Sequence, residues 1–238
     1  SMDILTTSNS LPLFFLGFSA LYYFAYSQIF RRWPPNIRPG ASSCAISLAH
    51  GTPAAVLAYF AIVSDPTHDF HSRNTRFQNA VLDYSVAYFL TDLLHYVVFS
   101  PGEVLFVAHH LATLFVFLTC RFVVLHGAYA ILGLLILAEM TSLLQNVWTL
   151  AGLRRSDLKS ADRLYGLVSP VFYGAYSVAR GLIGPLFVFR MSVFYLSGGA
   201  DGFIPKWASV SWLIVVAVAI SVSISWIFNL WVEFFRER

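Results

Sequence analysis

Residues 104–125 read VLFVAHHLATLFVFLTCRFVVL, and this stretch decides the fold. It is long and apolar enough to cross a bilayer, which takes about 20 residues. Two adjacent histidines, His109 and His110, stand inside it. A polar side chain in hydrocarbon is costly, so an intramembrane ionisable residue points to function by default. About 100° separates neighbouring residues around a helix, so the two imidazoles cannot share a direction. One can face a cavity while the other meets an adjacent helix. Thr113 is i+4 from His109 and i+3 from His110 and can touch either. Imidazole is the usual proton acceptor near neutral pH, which makes the pair a candidate general base or nucleophile.

The rest of the chain repeats the pattern. Of 238 residues, 58% are hydrophobic and only 11% charged, against roughly a quarter charged in a soluble domain. The apolar residues fall in runs of about 20, not in amphipathic periods. Short alternating segments, the sign of a membrane barrel, are absent. These observations predict an all-α, polytopic transmembrane helical bundle of about seven spans. The expected spans are residues 11–30, 43–63, 79–100, 104–125, 128–150, 165–189 and 207–231. Trp33, Trp207, Trp212, Trp226 and Trp231 fall near span ends, as interfacial aromatics do.

Alternate loops divide the charges. Arg31, Arg32, Arg38, Arg154, Arg155, Lys159, Arg163, Arg236 and Arg238 share one side; Arg73, Arg76, Arg121, Arg190 and Lys206 share the other. The richer side is expected to be cytosolic. That makes residues 1–10 a short non-cytosolic N-terminus, with Ser1 ahead of Met2 as a tag remnant. Residues 11–40 form the first span and a proline-stiffened cytosolic turn, RRWPPNIRPG. Residues 41–231 form the main transmembrane domain, and residues 232–238 a cytosolic tail. The formal net charge of +3 suits anionic headgroups and predicts no nucleic-acid partner. Cys44 and Cys120 lie near opposite membrane faces and cannot form a disulfide. The H-x-x-H at His68–His71 lacks the three or four ligands zinc needs, so it reads as a solvated loop and no metal is expected.

Every apolar segment around the histidines carries polar groups of its own. In the third span, Tyr84, Tyr88, Asp92 and His95 share one helical face. A carboxylate beside a histidine suggests that Asp92 orients the His95 imidazole, with a structural pair that pins this helix to a neighbour as the alternative. In the fifth span Glu139, Ser142 and Asn146 share a face, and a glutamate in such surroundings must be paired or protonated. Arg180 in the sixth span is the expected partner, giving a Glu139–Arg180 ion pair. His50 in the second span precedes Gly51 and Pro53, which are expected to disturb the helix. At 1.5 Å per residue, His50, Asp92, His95, His109 and His110 lie at a similar depth from the cytosolic end. A common band suggests one cavity opening toward the cytosol.

SLAH at Ser47–His50, YFLTDLLHY at Tyr88–Tyr96, AHHLAT at Ala108–Thr113, AEMTSLLQNVW at Ala138–Trp148 and SVARGLIGP at Ser177–Pro185 occur in that order. With these motifs the chain resembles the TLC-domain family of TRAM, ceramide synthases and related lipid proteins, over nearly its whole length. The resemblance implies a helical bundle around a cavity for a long acyl chain, in the endoplasmic reticulum or a related membrane. It implies acyl-coenzyme A as a possible co-substrate and no permanently bound cofactor. His109 and His110 match the tandem histidines that serve acyl transfer in the synthases, and Asp92 matches the acidic residue of the preceding span. The synthases also carry two aspartates in the following span. Here Glu139 stands in that region with Thr141 and Ser142, as in non-synthase members, which counts against ceramide synthesis.

Two functions follow. In one, the protein is an acyl-CoA-dependent acyltransferase using His109 or His110, with Asp92 or His95 fixing the second imidazole. In the other, it binds or senses membrane lipids without chemistry, holding a long-chain acyl group. His50, Tyr88, Thr113, Glu139, Ser142, Asn146 and Arg180 are the lining residues expected in either case. Other classes fit poorly. The last span has no lysine for a retinal Schiff base, no H-x-x-x-H box suggests a di-iron site, and no repeat or broken helix suggests a transporter.

Overall fold

The computed structural model describes residues 9–236; the expectations for residues 1–8, with Ser1 and Met2, and for residues 237–238, with Arg238, lie outside the described residues. The fold is all-helical, and the described residues form seven successive helical rods. α1 is Leu11–Phe24, extended by a π-helical turn, Ala25–Ile29. α2 is Arg38–Val63 and α3 is Arg76–Phe99. α4 is Val104–Val124, α5 is Ala128–Gly152, α6 is Lys159–Leu196 and α7 is Lys206–Arg236. Rods α2, α4, α5, α6 and α7 are long and apolar enough to cross a membrane, so this is a multi-pass membrane protein.

Local chemistry sets the rod ends. Thr75 and Gln78 form a reciprocal capping box at the start of α3, each side chain accepting from the other's backbone N–H. Leu125 and Gly127, at φ 61° and 87°, turn the chain sharply from α4 into α5; only glycine takes such a φ without strain. Asn74 closes that turn from outside. Its amide nitrogen donates to the Cys120 carbonyl at 3.0 Å and its oxygen accepts from Ala128 N at 2.9 Å.

Three rods depart from the sequence expectation. α2 runs unbroken through Pro53. A proline in a helix leaves the carbonyl four residues earlier without its donor, and here the Tyr84 hydroxyl donates to the Ala49 carbonyl at 2.6 Å in its place. α5, expected to be continuous, breaks at Met140–Thr141 into Ala128–Glu139 and Ser142–Gly152. The break falls against Gly51 of α2, where a Cβ would collide with the Ser142 side chain. α6 contains a π-helical stretch, Ser177–Ile183, with Arg180 at its centre; such bulges are frequent at functional sites.

α2 packs on α3 and on both halves of α5, α1 packs on α3, and α4 also packs on α3. The main apolar core lies among these rods and the first half of α7, from Ile46 and Leu82 to Ile131 and Trp212. Trp212, expected near an interface, is fully buried and donates from Nε1 to the Thr119 hydroxyl at 2.9 Å. A separate aromatic core, Phe172, Tyr173 and Tyr176 with Trp148, Trp226 and Trp231 around them, joins the second half of α5 to α6 and the end of α7. Here Trp148 Nε1 donates to Ser169 Oγ and Trp231 Nε1 to Ser177 Oγ.

Candidate functional site

The polar residues singled out by sequence divide into two neighbouring groups. The first is a closed network among α1, α2, α3 and α4, centred on Asp92. Its Oδ1 accepts from the Ser43 hydroxyl at 2.6 Å, and its Oδ2 lies 2.9 Å from His110 Nε2 and 3.4 Å from the Tyr88 hydroxyl. His110 Nδ1 stands 2.7 Å from the Phe106 carbonyl one turn back. A carbonyl only accepts, so Nδ1 carries a hydrogen. The His110 ring is thus held at both nitrogens, buried, and flanked by Phe89 and Tyr96.

The expected Asp92–His95 pair does not form. Residues three apart share a face, but both side chains reach outward to other helices sooner than to each other. His95 Nδ1 lies 2.8 Å from the Tyr22 hydroxyl of α1. His50 is fully buried, stacks on Tyr88 at 4.0 Å between ring centroids, and sets Nε2 3.1 Å from the Ser85 hydroxyl. Its Nδ1 has no hydrogen-bond partner among the described residues; Glu139 Oε1 lies 4.0 Å away. Asn146 donates to the Ser47 hydroxyl at 2.9 Å and to the Ser142 carbonyl at 2.8 Å, tying the second half of α5 to α2.

The second group lines a cavity of about 110 Å³ between α4, α5, α6 and α7. Most of its wall is apolar: Phe89, Phe117, Ile131, Leu135, Val216 and Ile220 among others. Four residues singled out by sequence join it, namely His109, Thr113, Glu139 and Arg180. His109 is exposed, meets the edges of Phe89 and His110, and makes no hydrogen bond within the described residues. No hydrogen-bonded path joins it to Asp92, because His110 is turned edge-on to it at 5.7 Å and is bonded elsewhere. The tandem histidines therefore have different situations: His110 is fixed in the packed network and His109 opens on the cavity.

The expected Glu139–Arg180 ion pair is not closed; no contact within 4.0 Å joins them among the described residues. The break in α5 explains this. It strips the Ala138 carbonyl of its helical donor, and Arg180 Nη2 donates to that carbonyl at 2.9 Å instead. Glu139 sits at the break over Gly51 and faces His50. His50, Tyr88, Asp92, His95, His110, Ser142 and Asn146 are not in the cavity wall.

Sequence reasoning missed three things. Arg121, counted with the loop charges, is buried in α4 and holds Asp83 of α3 through Nε–Oδ1 at 2.7 Å and Nη2–Oδ2 at 3.3 Å. Ser10 donates to the same carboxylate from its backbone nitrogen and hydroxyl, so α1 is bonded to α3 near both ends. An acid and a base on different helices give no spacing signal. The α7 part of the cavity wall, Val215 to Ile220, carries only apolar residues and could not be told from lipid-facing ones. Ser43 and Ser85 are short hydroxyls in apolar runs, without any charge to flag them. Among the described residues no group of three or more histidines, cysteines or acids is placed to hold a metal ion.

A multi-pass helical bundle whose tandem-histidine helix borders both a sealed polar network and an apolar cavity is the class this fold defines. The chain matches the TLC domain over residues 41–232 and belongs to that family. It is 60% identical over 230 residues to a TLC domain-containing protein of Arabidopsis thaliana, covering 96% of this chain and 91% of the relative. The family match begins after α1, so the rod bonded through Ser10 and Tyr22 lies outside it. No solved structure matches the chain.

Proposed function

We propose that this protein acts in lipid homeostasis by taking the acyl group of a membrane lipid or acyl-coenzyme A into the cavity, with its polar end at His109. One observation carries the reading: an imidazole with no hydrogen bond among the described residues borders a mostly apolar hollow. The ring keeps its nitrogens available to the hollow, where a ligand's polar end can bond them. The volume is smaller than the roughly 300–1,000 Å³ of drug-sized ligand pockets. It takes the polar end and the first carbons, and the rest of a long chain runs on past Ala219 and Ile220 or opens the wall by moving α7.

The basic end of the bundle faces the cytosol, the N-terminus lies in the lumen, and the membrane is the endoplasmic reticulum, as positive-inside bias and kinship suggest. His109 is five residues from the start of α4, about 8 Å along the helix. A charged coenzyme A moiety can therefore stay in water while its acyl end reaches the imidazole.

Acyl transfer is a second reading, favoured by the same unengaged ring. A His109 nitrogen attacks the thioester carbonyl; the C–N bond forms, the C–S bond breaks, and coenzyme A leaves as the thiol with the ring proton. An acceptor amine or hydroxyl then takes the acyl group and restores the imidazole. The experiment is lipid extraction and mass spectrometry of the purified protein, followed by incubation with labelled acyl-coenzyme A. A co-purified acyl lipid that His109→Ala loses supports the cavity, and release of coenzyme A by the unsubstituted protein alone supports transfer. Absence of any acyl lipid, with or without substitution, refutes the proposal.

A further inference from the structure

Arg180 places a guanidinium in the cavity wall with most of its hydrogen-bonding capacity unused. The group carries five N–H donors in a fixed planar fork. Only one is engaged among the described residues, Nη2 on the Ala138 carbonyl. The Nε is shut off from solvent and has no partner, and the expected acid, Glu139, lies beyond contact distance. The Tyr176 ring lies 5.5 Å from the guanidinium carbon, covering it without neutralising it. Arg180 is half-buried and no acid closes on it within 4.0 Å among the described residues, although the Glu139 carboxyl shares the cavity wall; an incompletely paired cation in such a place is costly. The chain nevertheless holds it in place, since the broken helix α5 and the π-helical stretch of α6 are what set Arg180 against Ala138.

Resting on the cavity reading above, we propose that the ligand's polar end is an anionic oxygen group, a carboxylate or a phosphate, held by Arg180 beside His109. Two oxygens of such a group match the guanidinium edge bidentately, which a hydroxyl or an ester carbonyl cannot do. The unbonded imidazole supplies a further donor. The apolar wall from Phe117 and Ile131 to Val216 takes the chain. The ligand class is therefore a single-chain anionic amphiphile, either a free fatty acid or a phosphate-headed lipid.

The test uses the full chain in detergent micelles and three labelled probes with one common chain: oleate, oleyl phosphate and oleyl alcohol. At least one anionic probe should bind about tenfold or more tightly than the alcohol, as expected for a charge-assisted bidentate contact. Preference for oleate or for oleyl phosphate tells carboxylate from phosphate. Arg180→Gln should bring the anionic probes down to the alcohol's affinity while alcohol binding stays within about twofold, which also reports an intact fold. Arg180→Lys should keep only part of the preference, because lysine has no fork. Equal binding of all three probes by the unsubstituted protein overturns the anionic head and leaves the cavity reading standing. A preference that survives Arg180→Gln also overturns it. If no probe binds, both readings fall. If Arg180→Gln does not fold, the unsubstituted protein's selectivity and the lysine variant decide.

Discussion

The two sides of α4 treat polar groups in opposite ways. Toward α3, Asp92 meets Ser43, Tyr88 and His110, and both nitrogens of His110 are engaged. Toward α5, α6 and α7, among the described residues, His109 has no hydrogen bond and Arg180 uses one donor of five. Buried and satisfied, the Asp92 network reads as architecture; the wall where His109 and Arg180 keep donors to spare reads as a place kept for something else. Neighbouring residues of one type can thus serve stability and function separately, because one step along a helix turns the side chain by about 100°.

The division can be broken most forcefully at its closed side. Asp92→Ala or His110→Ala leaves a buried, ionisable partner unpaired and should cost about 3–5 kcal/mol, seen as a large drop in thermal stability in detergent. Asp83→Ala should cost as much by stranding Arg121. Little or no change in either would mean the network does not hold the bundle together. Next in size is Gly51→Ala, whose added methyl meets Ser142 and Glu139; about 1–3 kcal/mol of strain is expected. An unchanged melting profile there would mean that α2 and the break in α5 do not approach so closely.

Tyr84→Phe tests the repair at Pro53. It leaves the Ala49 carbonyl without a donor and should cost about 1–3 kcal/mol. A pH dependence is expected outside the membrane. Burial of Asp65 in the α2–α3 loop would raise its pKa, but hydrogen bonds from the Thr67 side chain and backbone, Gln78 and Ser72 more than offset this and hold it below the usual aspartate range. A folded-state pKa below the unfolded one stabilises above the unfolded value, about 3.9 for aspartate, and that stability is lost as pH falls through the folded value. Melting temperature should therefore fall on acidification in the native chain and do so less in Asp65→Asn. The smallest stability effect belongs to the open side: His109→Ala should stay within about 0.5 kcal/mol. A His109→Ala protein as unstable as His110→Ala would erase the difference between the two histidines.

Much of this was legible from the chain. Runs of about 20 apolar residues gave the rods, and histidines and acids within them gave the candidates, because hydrocarbon makes each such residue costly. Even the divergence of His109 and His110 follows from helical geometry. Pairing was not legible. Asp92 was assigned to His95 from a three-residue spacing, and Glu139 to Arg180 from being the available acid and base. Spacing along one helix reports a shared face, whereas a hydrogen bond depends on how far two different helices stand apart and how they are rotated. The break in α5 was invisible for the same reason: neither Met140 nor Thr141 breaks a helix by itself, and it is Gly51 of α2 that admits Ser142 at that point.

The amino-acid order by itself determined that the chain is a membrane-spanning helical bundle and that polar residues such as His50, Asp92 and His110 stand inside its apolar runs, since both depend on local polarity and on a fixed rise per residue. Only the tertiary structure decided which partner each polar group takes, that His110 is sealed and His109 left open, and that Arg180 caps a severed helix with its remaining donors unengaged among the described residues. Those outcomes depend on distances of a few ångströms between rods far apart in the chain, and no run of residues within one rod encodes them.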